Sequence, residues 1–222
     1  MLKFTVAALA LSLALAACTP MTAVETANLR VAHLSPDAPN VDVYLDGKIV
    51  PALTNVAFKA VSPYLKIPVG KHDIAVYVTG KTTGPVIDVK GLNLEKKSYT
   101  VGAIGLVSAI KAEVYVDDLT TNATKARVRV IHASPDAPAV DVGAKGGTPA
   151  DALVKSLEFP KATGYLELAA GVASLEIRVA GNAAAALSFD TPALEAGKVY
   201  TVFVVGSRSD GTLNYVLTED KL

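Results

Sequence analysis

Three histidines are the residues whose type and spacing could support chemistry in this 222-residue chain. His33 and His132 close two copies of one short motif, and His72 begins a separate run of alternating apolar residues. Imidazole binds both copper and zinc, and copper stands at the top of the affinity order for divalent ions. His33 and His72, completed by Asp37 or Asp73, are therefore the candidate ligands of a copper site.

A structural role is the competing interpretation of these histidines. A strand-end histidine that occurs in both copies is expected to be buried and bonded to a turn carboxylate or carbonyl, since buried polar groups are normally satisfied. Position 72 is matched by Ala173 in the second copy, so a two-histidine site would belong to the first copy, and His132 is only a further candidate ligand. An exported β-sandwich that holds copper between its strands would resemble the copper-zinc superoxide dismutases, and this resemblance is one of architecture only. Superoxide dismutation is thus the enzymatic alternative, although the chain lacks a His-x-His pair and a disulfide.

Other kinds of site find little support in the sequence. No Gly-x-Ser-x-Gly segment is present for a hydrolase nucleophile. Lysine and arginine number 21 against 21 acidic residues, without the basic clusters that nucleic acid requires, so no nucleic-acid partner is predicted. The chain has no tryptophan but eight tyrosines, so glycan or peptidoglycan binding remains a weaker alternative.

The single cysteine indicates membrane attachment. Residues 1–17 contain one early cation and an apolar run that is too short for a membrane span of about 20 residues. Such a segment is typical of a signal peptide. Its end, Leu15-Ala-Ala-Cys18, resembles a bacterial lipobox, and the resemblance implies cleavage before Cys18 and diacylation of its sulfur. Residues 18–28 would then be the lipidated cysteine and a tether. A resemblance to lipoproteins of enteric bacteria implies sorting to the outer membrane, because Thr19 rather than Asp follows the cysteine.

The elements that must position the histidines come in two copies. Arg30-Val-Ala-His-Leu-Ser-Pro-Asp-Ala-Pro39 returns as Arg129-Val-Ile-His-Ala-Ser-Pro-Asp-Ala-Pro138, and His132 follows His33 by 99 residues. A period near a hundred residues indicates a tandem domain repeat. The predicted modules are residues 29–120 and 125–222, joined by a short polar linker. Each should fold alone, because each has its own strand set.

Both modules are predicted to consist of β-strands. Apolar residues alternate up to each histidine, which is typical of a strand. Asp37 and Asp136 stand in turns, where their carboxylates can bond nearby amides, and Asp46-Gly47 predicts a hairpin. Tyr99 and Tyr200 resemble the tyrosine corner of immunoglobulin-like sandwiches. The predicted fold class is all-β, with two tandem immunoglobulin-like or Greek-key β-sandwiches. The predicted strands are 29–34, 41–45, 74–78, 86–89, 98–104 and 113–116, then 126–131, 140–142, 175–179, 186–189, 199–205 and 214–217.

The repeated motif, followed by Tyr64-Leu-Lys-Ile-Pro-Val-Gly70 or Tyr165-Leu-Glu-Leu-Ala-Ala-Gly171, resembles the domain-of-unknown-function family 4397. The resemblance covers nearly all of residues 29–217. It implies a β-sandwich in an exported or envelope protein, and it carries no catalytic residues. In this light Arg30, Arg129 and the other motif residues are structural.

The predicted function is therefore that of a lipid-anchored protein of the cell envelope. Its two sandwiches would serve as a structural or binding accessory subunit of a surface assembly. The predicted partners are the membrane, reached through Cys18, and an envelope or surface-layer protein. Exposed strand edges and loops would supply the contacts with that protein.

Overall fold

The computed structural model describes residues 23–222, so the predicted signal peptide, Cys18 and most of the tether lie outside the described residues. The first eight strands form module 1, and they are β1 (Thr26–His33), β2 (Val41–Leu45), β3 (Lys48–Ile49), β4 (Leu65–Pro68), β5 (Gly70–Val78), β6 (Ile87–Leu94), β7 (Ser98–Ile104) and β8 (Lys111–Asp117). They form two sheets with the orders β4-β1-β7-β8 and β3-β2-β5-β6. β1 runs parallel to β7, and all other neighbours in module 1 are antiparallel.

Module 2 repeats this arrangement with the next eight strands. They are β9 (Ala126–His132), β10 (Val140–Ala144), β11 (Val154–Leu157), β12 (Leu166–Leu168), β13 (Ser174–Val179), β14 (Ala185–Asp190), β15 (Val199–Val205) and β16 (Asn214–Glu219). The two sheets have the orders β12-β9-β15-β16 and β11-β10-β13-β14, and β9 is parallel to β15. The prediction of two all-β sandwiches is confirmed.

The predicted Asp46-Gly47 hairpin joins β2 to β3. Leu45 pairs with Lys48 across it, and both turn residues have positive φ, 51° at Asp46 and 75° at Gly47. This pair of dihedrals matches a type I′ turn, whose twist suits two antiparallel strands. Within residues 23–222 there is no helix long and apolar enough to cross a membrane.

The two faces of β1 pack against different parts of the protein. Leu29 and Val31 point into the core of module 1. Ala32 and the residue after the strand, Leu34, join a separate apolar cluster. Side chains alternate between the faces of a strand, so β1 is covered on both sides. β9 has the same division, with Val128 and Val130 in the core of module 2.

The separate cluster joins the two modules, and we call it the module interface. It contains buried apolar residues from β1, β7 and β8 and their counterparts near β9 and β15. The sheets that carry the repeated motif therefore pack against each other, while the sheets built on β5 and β13 belong to the outer side of each module. The buried members are Ala32, Leu34, Ile104, Tyr115, Ile131, Ala133, Phe203 and Val205.

Separating the modules tests how much each depends on this interface. We expect residues 23–120 and 121–222, expressed apart, to be less stable than the full chain and to associate when mixed, because each would expose a contiguous apolar patch. Light scattering of the equimolar mixture measures this association. Halves that stay separate at high concentration and unfold at the midpoint of the full chain would contradict it. The boundaries 29–120 and 125–222 as folding units remain a prediction.

Candidate functional site

Two arginines of the repeated motif form ion pairs across the module interface. Nη2 of Arg30 lies 2.7 Å from Oδ1 of Asp220 in module 2, as an ion pair without hydrogen-bond alignment. Arg129 of module 2 pairs in return with Asp117 of module 1. All four side chains are at least 98% buried. Long charged residues are rarely this buried unless paired, so these ion pairs are structural contacts of the interface. We call them the crossed ion pairs.

Threonine hydroxyls connect the crossed ion pairs. Thr100 accepts a hydrogen bond from Nε of Arg30 at 2.8 Å and donates to Asp117 at 2.7 Å. Thr201 accepts from Nε of Arg129 at 3.0 Å and donates to an Asp220 oxygen at 2.6 Å. Each module therefore contributes one arginine, one threonine and one aspartate to the same network.

Tyrosine rings cover the network on each side. The Tyr64 hydroxyl donates to Asp117 at 2.5 Å, and the Arg30 guanidinium lies 4.9 Å from the Tyr64 ring centroid. Tyr165 is placed likewise, donating to Asp220 at 3.2 Å. Burial, followed by the negative charge of Asp117, raises the pKa of Tyr64 far above its usual range. The hydroxyl therefore stays protonated at physiological pH and donates to Asp117.

His33 and His132 occupy equivalent, fully buried positions. Nε2 of His33 lies 3.0 Å from the carbonyl oxygen of Pro39, and Nε2 of His132 lies 3.0 Å from that of Pro138. A carbonyl can only accept, so Nε2 carries the proton in both rings. Nδ1 of His132 accepts a bond from the Ser134 amide at 3.3 Å. Among the described residues, Nδ1 of His33 has no hydrogen-bond partner.

The burial of His33 and His132 predicts that the stability of the protein depends on pH. Desolvation lowers the pKa of His33 and of His132, and the proline carbonyls only partly oppose it. Between the folded and unfolded pKa values the unfolded chain binds more protons, so the free energy of unfolding should fall as pH drops below about 6.5. Urea unfolding from pH 7.5 to 5.5 measures this decline.

The matched control for this dependence is the double variant His33→Gln/His132→Gln. It removes both titrating groups, so its stability should change less over the same pH range. His72 has the opposite effect, because its hydrogen bond with Asp46 raises its pKa. The stability that protonated His72 contributes is present at low pH and is lost as pH rises. A decline that is equally steep in the double variant would assign it to other groups.

The motif aspartates hold a distant loop in each module. Asp37 accepts a hydrogen bond from the Val107 amide at 2.8 Å, in the loop after β7. Asp136 accepts bonds from the amides of Arg208 and Ser209 at 2.8 and 2.9 Å, in the loop after β15. Burial alone would raise the pKa of Asp136, but the bonds from Ser209 and its neighbours hold it well below its usual range. The backbone amides that bond to Asp37 and Asp136 therefore lie far along the chain from the turns that contain these two aspartates.

A second pair of aspartates was not singled out by the sequence reasoning. Asp42 accepts bonds from the amides of Asn55 and Gly80, at 2.7 and 3.0 Å. Asp141, its counterpart on β10, accepts from the Ser156 and Gly181 amides at 2.7 and 2.9 Å. The available signal was the Val-Asp-Val segment present in both copies, which places a carboxylate between two buried residues.

Tyr99 and Tyr200 bond to the loop before their own strand. The Tyr99 hydroxyl accepts a bond from the Glu95 amide, and the Tyr200 hydroxyl accepts one from the Glu195 amide, each at 3.1 Å. Both rings are buried. This is the contact that a tyrosine corner makes, and it gives both residues a structural role.

His72 and Asp73 lie on β5, in the other sheet from His33. Nδ1 of His72 is 2.8 Å from Asp46, and Nε2 is 2.8 Å from the Pro68 carbonyl oxygen. Asp73 accepts a bond from the Gly91 amide at 2.8 Å. The rings of His33 and His72 have different hydrogen-bond partners, and within residues 23–222 no three His, Cys, Asp or Glu side chains form a group that could hold a metal. Copper binding by this set remains a prediction.

An open cavity of about 440 Å³ lies on the outer sheet of module 1, and we call it the aromatic groove. The rings of Tyr44 and Tyr77 meet edge to face in it, with centroids 5.0 Å apart. Nζ of Lys90 lies 2.9 Å from Asp88 and 3.4 Å from Asp73, so these charges partly neutralise one another. The groove thus combines aromatic rings with hydrogen-bonding groups of both kinds, as small-molecule binding sites do.

Module 2 has no aromatic pair at the corresponding place. Gly143 and Arg178 stand where the strand pairing places Tyr44 and Tyr77 in module 1. Arg178 is buried there in an ion pair with Glu176. The modules therefore share their inner contacts and differ on their outer faces.

Comparison with solved structures finds several proteins of low sequence identity to this chain. Among solved structures it is similar to the Bacillus anthracis TIE protein, with 13% identity and a TM-score of 0.26 over 82% of this chain and 34% of that one. The chain therefore spans about a third of that protein's length. It is also similar to candidate cell adhesion proteins from Bacteroides uniformis and Bacteroides eggerthii, with 10% and 13% identity and TM-scores of 0.25, over 89% of this chain and 99% and 96% of theirs.

The family comparison is more specific than the structural ones. No curated protein is similar to the chain in sequence. One family model matches residues 27–143 and 148–222, which is nearly all of the described sequence. With two tandem matches over this length, the chain belongs to the family described as Domain of unknown function (DUF4397).

Proposed function

We propose that the protein is a lipid-anchored accessory protein of the cell envelope that holds an envelope component on the outer face of module 1. The observation that carries this proposal is the division of polar residues between the inside and the outside of the molecule. Motif residues such as Arg30, His33 and Asp37 are bonded to the protein's own groups. The aromatic groove, in contrast, presents its polar groups outward.

The module interface supports an accessory role. Two modules that share a buried, ion-paired face form one body, with the outer sheets left available on both sides. Neither outer sheet repeats the other, since Tyr44 and Tyr77 are replaced by Gly143 and Arg178. Residues retained in both copies serve the fold, and the face that differs is where a partner specific to module 1 would bind.

Sedimentation with isolated envelopes tests this proposal. The exported Cys18→Ser chain is mixed with envelopes of the source cells, so that binding does not depend on the lipid. We expect the chain to sediment with the envelopes and the Tyr77→Ala variant to remain in solution. A Lys145→Ala variant, which changes an exposed side chain in the turn after β10 of module 2, should sediment like the parent. Equal recovery of Tyr77→Ala and the parent in the supernatant would overturn the proposed binding face.

Lipid attachment has its own test. We expect the mature protein to partition into the detergent phase of a phase-separating detergent, because two acyl chains supply stable membrane attachment. Cys18→Ser should move it almost completely to the aqueous phase. Partition does not depend on an envelope partner, so unchanged partition of the Cys18→Ser chain would argue against lipidation.

Copper binding is the second proposed function, and one observation favours it. Nδ1 of His33 is buried and has no hydrogen-bond partner among the described residues, so its lone pair is available. His72 would first have to give up its bonds to Asp46 and Pro68. Metal analysis of protein purified without chelator or tag should then give one copper equivalent, lost in His33→Ala and in His72→Ala but kept in His132→Ala. Less than one equivalent in copper-supplemented protein would end this proposal.

A further inference from the structure

We propose that the aromatic groove of module 1 binds a neutral oligosaccharide. This inference rests on the proposed function, because it names the chemical class of the envelope component. The inference is based on the location of two half-buried tyrosine rings beside carboxylates and an ammonium group on one open sheet face. Pyranose rings have the matching surface, with an apolar C–H face and a rim of hydroxyl groups.

The groove offers both donors and acceptors to such a rim. Within residues 23–222 the hydroxyls of Tyr44 and Tyr77 have no protein hydrogen-bond partner, so both can bond to a ligand. Lys90 adds a donor, and Asp88 adds acceptor oxygens beside it. A charged group roughly doubles the strength of a hydrogen bond to a neutral hydroxyl. A sugar could therefore stack on a ring while its hydroxyls are held at the edge of the same cavity.

The charges of the groove decide against an acidic ligand. Asp46, Asp73 and Asp88 line it together with a single cation, Lys90. The excess of negative charge would repel phosphate, sulfate or uronic acid groups, since like charges across a contact cost binding energy. The fitting class is therefore a glycan without acidic groups.

The position of the tyrosine rings argues against an extended peptide as the partner that they bind. A peptide that adds to a sheet needs an edge strand with free backbone groups. The two rings stand on β2 and β5, which are inner strands hydrogen-bonded to neighbours on both sides, while Asp88 and Lys90 stand on the edge strand β6. Recognition by the rings must therefore come from side chains, as it does for a sugar.

Module 2 supplies a natural substitution pattern for the test. Gly143 of module 2 stands at the position equivalent to Tyr44, so the equivalent sheet of module 2 accommodates a glycine there. Tyr44→Gly in module 1 removes one ring of the groove without touching the core or the module interface. Tyr77→Ala removes the other ring, and Lys145→Ala, in the exposed turn after β10 of module 2, is the control for a surface change outside the groove.

The test is titration calorimetry of the exported Cys18→Ser chain with neutral hexasaccharides of β-1,4-linked glucose and of β-1,4-linked N-acetylglucosamine. Oligogalacturonate of similar length serves as the acidic probe. We expect at least one neutral hexamer to bind, with about tenfold weaker binding in Tyr44→Gly and in Tyr77→Ala. Lys145→Ala should bind like the parent, and the acidic oligomer should bind more weakly than the neutral ones.

Three outcomes would overturn the inference. They are no binding of either neutral hexamer at millimolar concentration, equal affinity in the tyrosine variants and the parent, and tighter binding of oligogalacturonate. Envelope sedimentation separates this failure from failure of the proposed function. If sedimentation requires Tyr77 while no hexamer binds, the face holds a different class of partner and only the glycan inference fails.

Discussion

Replacing Arg30 with methionine is expected to lower the free energy of unfolding by about 3 to 5 kcal/mol. The substitution leaves the Asp220 carboxylate buried opposite an apolar side chain, where an unpaired charge is costly. Arg30 also donates to Thr100 and Thr201, at 2.8 and 3.2 Å, so both hydroxyls lose a partner. Urea unfolding followed by circular dichroism measures the change.

Two variants show whether the loss comes from the unpaired charge. Lys96→Met removes an exposed ion pair with Glu25, 2.9 Å long, and should leave the midpoint almost unchanged. Arg30→Met/Asp220→Leu removes both buried charges and should recover part of the lost stability, because charge burial itself is costly. A single variant as stable as the parent would show that the crossed ion pair does not stabilise the fold.

The second large effect is expected from Gly206→Ala, at about 3 to 5 kcal/mol. Gly206 follows β15 with a φ of 89°, a conformation that favours glycine. A Cβ atom there would overlap the carbonyl oxygen of Thr212. The same loop supplies the amides that bond to Asp136, so opening it would also weaken that contact. Thermal and urea unfolding both report the change.

Gly211→Ala is the matched control in the same loop. Its φ is 67°, but the space around its Cβ position is empty within 4 Å. Only the conformational penalty of about 1 to 2 kcal/mol should apply. Equal destabilisation by the two substitutions would show that the close approach of residue 206 to Thr212 does not contribute to the loss of stability.

The sequence predicted the repeat and the long strands because both depend on local pattern. Alternation and β-branched residues define β2, β7 and β15, whose bounds agree with the prediction. The four short strands β3, β4, β11 and β12 are absent from the predicted ranges, although the Asp46-Gly47 hairpin implied a strand at β3. They have two to four residues each, too few for a period of two to stand out, and β4 ends at Pro68. Their place is set by pairing with neighbours.

The module interface was not visible in the sequence for a different reason. The alternation that ends at His33 places Arg30 on the opposite face of the strand from Leu29 and Val31, and an arginine on that face is normally exposed. Only the arrangement of both modules shows that Asp220 lies against it. The usable signal was that an arginine occurs at this position in both copies, at Arg30 and Arg129.

The crossed ion pairs also bear on oligomeric state. Each module donates an arginine and receives one, so the joined faces are self-complementary, as in a two-fold symmetric homodimer. Linking both copies in one chain raises their effective concentration and makes the pairing independent of how much protein is present. It also closes the assembly, because the only two faces of this kind in the described chain are already used on each other. We expect the protein to be monomeric through this face at any expression level.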